Sequence, residues 1–164
     1  MATKQQTNFI AERVESLAIM HLTRRADLTV RREIREVDAV MDLLVEINEQ
    51  GKPSGWKKFG IYLQGTKTPV TVSNANTKLK ISLNRFFNNY GEPAFPFCLF
   101  YFTMDDNQGY FTWVAEPVVE KGRSRLKYHI EKADCVLLND DVLDQIVDEV
   151  NAYYAAFYRD AIRT

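Results

Sequence analysis

The run Asp38-Ala39-Val40-Met41-Asp42-Leu43-Leu44-Val45-Glu46 and, after a Gly/Pro/Ser turn, the run Phe59-Gly60-Ile61-Tyr62-Leu63-Gln64-Gly65-Thr66 hold the residues best suited to chemistry. Read as strands, they place Asp42, Leu44 and Glu46 on one face by the strand period of two. Carboxylates beside a second strand suit a hard divalent cation, and the matching chemistry is metal-assisted attack on a phosphodiester. That chemistry needs at least two oxygen ligands converging on Mg²⁺. It also needs a lysine that positions or deprotonates the attacking water and offsets the charge developing on the phosphate. On the second strand this chain has Tyr62 and Gln64. Gln64 can orient a water by hydrogen bonding, but it carries no charge and is no base near neutral pH. The constellation is incomplete.

A second group consists of Arg24, Arg25, Arg31, Arg32 and Arg35. Arg24, Arg25, Arg31 and Arg32 are candidates for phosphate contacts with DNA; a solvated face partly neutralised by Asp27, Glu33 and Glu36 is the plainer reading. His21 and His129 have no partners at useful spacing, which favours structural roles. Cys98 and Cys135 stand far apart, with no further Cys or His at ligand spacing, so neither a disulfide framework nor a zinc site is indicated.

The elements that must position these groups follow from periodicity. At 164 residues with 46% hydrophobic and 12% aromatic content, the chain fits one domain with a sizeable core, and its net charge of -1 gives no global field for nucleic acid. The polar stretch from Met1 to Thr7 and the absence of any run near ~18 apolar residues predict a cytoplasmic protein with no membrane partner. Ile10, Val14, Leu17 and His21 mark a helix capped by Asn8. Strands are expected over Val40 to Ile47, Phe59 to Leu63 and Val70 to Ser73, with a turn over Asn48 to Gly55. A helix from Thr77 carries Leu79, Leu83, Phe86, Phe87 and Tyr90, although Ile81 and Ser82 also suit a strand, and Gly91 with Pro93 stops it. Phe95 to Thr103 and Tyr110 to Ala115 are apolar on both faces, as a central strand pair would be. After a charged stretch from Glu116 to Lys132, Leu143, Ile146, Val147, Val150, Tyr154 and Phe157 stripe a last helix. It opens with Asp140, Asp141 and Asp144 and closes with Arg159 and Arg163.

Together these motifs resemble an uncharacterised bacterial domain-of-unknown-function family with the PD-(D/E)XK restriction-nuclease-like fold. The resemblance rests on Ala11-Glu12, on Asp38 to Asp42 with Val45-Glu46, on Tyr62-Leu63-Gln64-Gly65-Thr66 and on Gly109-Tyr110-Phe111-Thr112-Trp113, and it covers about residues 8 to 157. It departs where Ala39-Val40 removes a glycine, where Tyr62 replaces Gln and where Gln64 replaces Lys. It implies an α/β single domain over 1–164 with a central mixed sheet flanked by helices, restriction-endonuclease-like. It further implies that Glu12 and Asp42 lie close enough to share an ion, forming a remnant site with Gln64 in which Asp42 and Glu12 are the metal ligands and Mg²⁺ the cofactor if the site is active. A bulge in the second strand would move Gln64 to the acid-or-amide slot and bring Lys67 towards the lysine position, a slip disfavoured by the spacing to Gly65-Thr66.

Three functions remain in view. The first is a catalytically impaired nuclease-like domain, a nucleic-acid-binding or assembly module in bacterial defence or mobile elements. The second is an active Mg²⁺-dependent DNA endonuclease using Glu12, Asp42 and Gln64 or a recruited lysine. The third is a protein-interaction or homo-oligomerisation domain without nucleic-acid contact, favoured by neutral charge and abundant aromatics.

Overall fold

Strands with apolar side chains on both faces need cover on both sides, and among the described residues three helices supply it. The computed structural model describes residues 4–32, 41–66, 78–104 and 106–163. In chain order the elements are α1 (Lys4–Leu22), β1 (Leu28–Arg32), β2 (Leu43–Glu49), β3 (Lys52–Thr66), β4 (Lys78–Ser82), α2 (Asn84–Tyr90), β5 (Phe97–Thr103), β6 (Gln108–Glu120), β7 (Arg123–Tyr128), β8 (Lys132–Leu137) and α3 (Asp140–Arg163). The eight strands form one mixed sheet in the order β1-β2-β3-β5-β6-β8-β4, with β7 paired to the far end of β6. β3 and β5 run parallel, joined through β4 and α2, and the other described pairings are antiparallel. The chain is a single α/β domain, as expected, with the aromatic strands β5 and β6 inside the sheet.

Alternation along the strands sorts the core into two layers. Phe59, Ile61 and Leu63 of β3 and Cys98, Phe100 and Phe102 of β5 face α1 and α3. Tyr62, Phe97 and Leu99 point the other way, where Phe86 of α2 covers them. On α3 the stripe Leu143, Ile146, Val147 and Val150 is buried, and truncating Leu143 to Ala would cost about 2–5 kcal/mol through lost contacts and a residual cavity. Asn139 caps this helix by accepting the Val142 amide at 2.8 Å on its side-chain oxygen, ahead of Asp140 and Asp141 in the first turn. Phe157 continues the stripe in sequence but remains 56% exposed, stacked on Tyr153.

Several expectations are corrected. α1 begins at Lys4, so Asn8 lies within the helix. The helix expected from Thr77 is only Asn84–Tyr90, because Lys78–Ser82 pairs antiparallel with β8 and ladder hydrogen bonds override the helical spacing. The charged stretch from Glu116 to Lys132 is a hairpin turned by Lys121 and Gly122, both at positive φ of 52° and 76°, a primed two-residue turn that matches strand twist. A similar turn at Gln50 and Gly51 joins β2 to a fifteen-residue β3. The strand expected over Val70 to Ser73, together with Asp38, Arg35 and Lys67, lies outside the described residues. Cys98 and Cys135 are free and buried, as expected, and burial pushes both thiol pKa values up, that of Cys135 to about 12.

Candidate functional site

The site must form where β2 meets β3. Their register ends at Leu43 opposite Ile61, so β3 continues to Thr66 without a β2 neighbour and the Leu63 amide loses its ladder acceptor. Asp42 supplies one. Its backbone amide donates to the Ile61 carbonyl at 3.0 Å, and its carboxylate accepts from the Leu63 amide at 2.8 Å. The residue is 7% exposed. A buried carboxylate held this way satisfies a strand amide that would otherwise be orphaned.

Tyr62 and Gln64 share the α2 face of β3. Tyr62 meets Phe86 edge-on with ring centroids 5.3 Å apart and approaches Tyr90 at 6.4 Å, so its ring belongs to an aromatic cluster. Gln64 is exposed and stands opposite Tyr101 of β5, whose hydroxyl bonds Thr66. On the opposite face, Gly65 lets α1 ride directly on β3, since a Cβ there would fall 2.4 Å from Val14 Cγ2. This close approach sets Glu12 beside Gln64: both line a cleft of about 340 Å³ with Glu15 and Leu63. Asp42 is not among its walls, although it holds the Leu63 amide. The structure thus gathers Glu12 and Gln64 at one cleft, and Asp42 is held to the backbone of the same strand at Leu63.

These groups fit a hydrolytic Mg²⁺ site poorly. One Asp42 oxygen is committed to an amide, while Tyr62 offers a phenol hydroxyl in place of an acid or amide ligand and Gln64 a neutral amide in place of a lysine cation. Among the described residues no group of three or more His, Cys, Asp or Glu side chains is placed to hold a metal ion.

The arginines near the first strand are ion-paired, with more carboxylates than the sequence suggested. Arg24 meets Asp140 at 3.2 Å, Arg25 meets both Asp27 at 2.8 Å and Asp144, Arg31 meets Glu46 at 3.3 Å, and Arg32 meets Glu15 at 2.7 Å. Arg31, the partner of Glu46, sits on the edge strand β1, and the Glu46 carboxylate is buried with Oε2 unbonded. Neutralised in this way, Arg24, Arg25, Arg31 and Arg32 present less field to a phosphate than five arginines in sequence imply.

Two features escaped the sequence. His129 does have a partner: its Nε2 lies 3.0 Å from Glu116 Oε2, inside a cavity of about 440 Å³ that also takes in Glu149, which accepts from Trp113 Nε1 at 2.8 Å. The β6–β7 hairpin creates that pairing, and a separation of thirteen residues carries no spacing signal. The other is the cavity beside α2 lined by Tyr62, Gln64, Arg85, Asn89 and Tyr90. The signal that could have found it is two i, i+4 pairs, Arg85 with Asn89 and Phe86 with Tyr90.

Among the described residues no helix is long and apolar enough to cross a membrane. Comparison with models of known families, with curated proteins and with solved structures finds no match for this chain.

Proposed function

We propose that the chain is a catalytically impaired PD-(D/E)XK nuclease-like domain with a restriction-endonuclease-like arrangement, acting as a nucleic-acid-binding or assembly module in bacterial defence or mobile elements. One observation carries the reading: β2 presents Asp42 to β3 at the step between Tyr62 and Gln64, and that carboxylate serves the Leu63 amide. An inherited metal site would call on this pairing, while Tyr62 withholds a ligand and Gln64 withholds a positive charge. Losing one preorganised electrostatic donor typically lowers a rate by ~10² to 10³, and a lost metal ligand lowers it further. Incubation of supercoiled plasmid with the protein and Mg²⁺ or Mn²⁺ tests the reading, and the expected result is no cleavage above a protein-free control. Cleavage abolished by Asp42→Ala would instead establish an active endonuclease.

A second reading, a protein-interaction or homo-oligomerisation surface, is favoured by one exposed aromatic group. Trp56 of β3 lies 5.7 Å from Tyr158 and 6.0 Å from Tyr154 of α3, and both Trp56 and Tyr158 are exposed. Aromatic residues are enriched at the centres of protein interfaces. Light scattering at high concentration tests it, with self-association weakened by Trp56→Ala and Tyr158→Ala as the supporting result.

A further inference from the structure

We propose that the cavity between β3, β5 and α2 binds a nucleoside monophosphate unit, either a free nucleotide or the phosphorylated end of a nucleic-acid strand. The inference stands on this cavity and goes beyond the nuclease-like reading. The cavity encloses about 390 Å³, within the roughly 300–1,000 Å³ of small-molecule sites.

Its chemistry is divided among three kinds of group. Phe86 is buried against the sheet, and Tyr90, one helical turn on, leans on it at 5.4 Å while remaining 43% exposed. With Tyr62 these rings make an aromatic wall on which a planar base can stack. Gln64 and Asn89 are exposed amides, each with a donor and an acceptor, and they can pair with the edge of a heterocycle. Arg85 is exposed and makes no ion pair among the described residues, in contrast to Arg31 and Arg32 of β1. Its planar fork of donors suits phosphate oxygens.

A nucleotide presents a ring, a polar edge and an anion together, and each has a counterpart here. A purely apolar ligand would leave Arg85, Gln64 and Asn89 unused, since none of these polar groups could bond it. A metal cation would find no carboxylate among the described residues, none of whose Asp or Glu side chains lines the cavity.

The experiment is isothermal titration of the full chain with AMP, GMP, CMP and UMP, with adenosine, and with a short oligodeoxynucleotide carrying a 5′-phosphate. Wild-type protein should bind at least one mononucleotide, or the oligonucleotide, saturably at one site. Arg85→Ala should weaken that binding at least about tenfold while changing adenosine binding much less, and Tyr90→Ala should weaken both. An oligonucleotide binding more tightly than every mononucleotide identifies a strand end as the ligand; equal or tighter mononucleotide binding identifies the free nucleotide. Both substituted side chains are exposed, so the variants should keep the fold, which circular dichroism verifies. Absence of saturable binding by the four nucleotides and the oligonucleotide, or affinities unchanged in both variants, overturns the proposal. Either result leaves the nuclease-like reading intact, because that reading is judged by metal-dependent cleavage and Asp42.

Discussion

Asp42 and Leu63 are joined by a hydrogen bond of 2.8 Å from the Leu63 amide to the Asp42 carboxylate, across the point where β2 stops and β3 runs on. The bond gives Asp42 a structural duty at the very position where a hydrolytic site would need a metal ligand. Asp42→Ala should therefore destabilise the protein by about 1–3 kcal/mol, the cost of leaving a buried donor unpaired. In thermal unfolding that is roughly 2–4 °C per kcal/mol for a domain of this size. Asp42→Asn, which keeps an acceptor oxygen, should lose less. A carboxylate serving only as an unused ligand would behave oppositely, with Asp42→Ala neutral or stabilising.

Gly65 is required by the contact between α1 and β3. A Cβ at this position would sit 2.4 Å from Val14 Cγ2, and a β-branched valine has little freedom to give way in a helix. Gly65→Ala should cost about 1–3 kcal/mol through overpacking, with part of the loss recovered when Val14→Ala makes room. Urea unfolding of both single variants and the double variant checks this; a neutral Gly65→Ala would mean that α1 does not seat on β3 there.

The arginines of β1 should differ in worth. Arg31 is the ion-pair partner of the buried Glu46, whereas the Glu15 partner of Arg32 lies partly exposed on α1. Arg31→Ala should cost about 1–3 kcal/mol by stranding a buried carboxylate, and Arg32→Ala about 0–1 kcal/mol. Combining Arg31→Ala with Glu46→Gln should reduce the loss in a double-mutant cycle. Equal costs for the two arginines would contradict the assignment.

His21 sets a pH limit. Burial, with help from the nearby Arg24 charge and against the pull of Asp140, holds its imidazole below the ordinary histidine range. The unfolded chain takes up that proton near pH ~6.5 while the native protein resists it. The sign follows: stability is fully present above about pH 6.5 and falls as the pH drops towards the folded value. Urea midpoints between pH 7.5 and 5 should decline in the wild type and flatten in His21→Gln. An unchanged slope in the variant would assign the decline to other groups.

What the sequence revealed was governed by local pattern. The stripe Leu143, Ile146, Val147 and Val150 and the doubly apolar Phe97–Thr103 are legible because burial imposes a period, and both elements are found. The β4 segment fits a helical spacing through Leu79 and Leu83 as well as a strand through Ile81 and Ser82, and the pairing with β8 that decides it depends on residues about fifty positions away. The Lys121-Gly122 hairpin was missed because lysine is a poor announcer of positive φ. At the candidate site, the neighbourhood of Asp42 and the strand of Tyr62 and Gln64 follows from the sequence, whereas the resemblance laid the first helix across the strand of Asp42 and the structure seats α1 on β3, where Glu12 lines a cleft without Asp42. The duty of Asp42 towards Leu63 is not legible, since it depends on β2 beginning at Leu43, one residue after Asp42, and composition does not encode that boundary.

The impaired-site account is tested most directly by plasmid cleavage in Mg²⁺ or Mn²⁺, comparing wild type, the double variant Tyr62→Gln with Gln64→Lys, and the same double variant carrying Asp42→Ala. The account predicts no cleavage by wild type, cleavage above background by the double variant, and its loss in the triple variant. Robust wild-type cleavage that disappears with Asp42→Ala would contradict it.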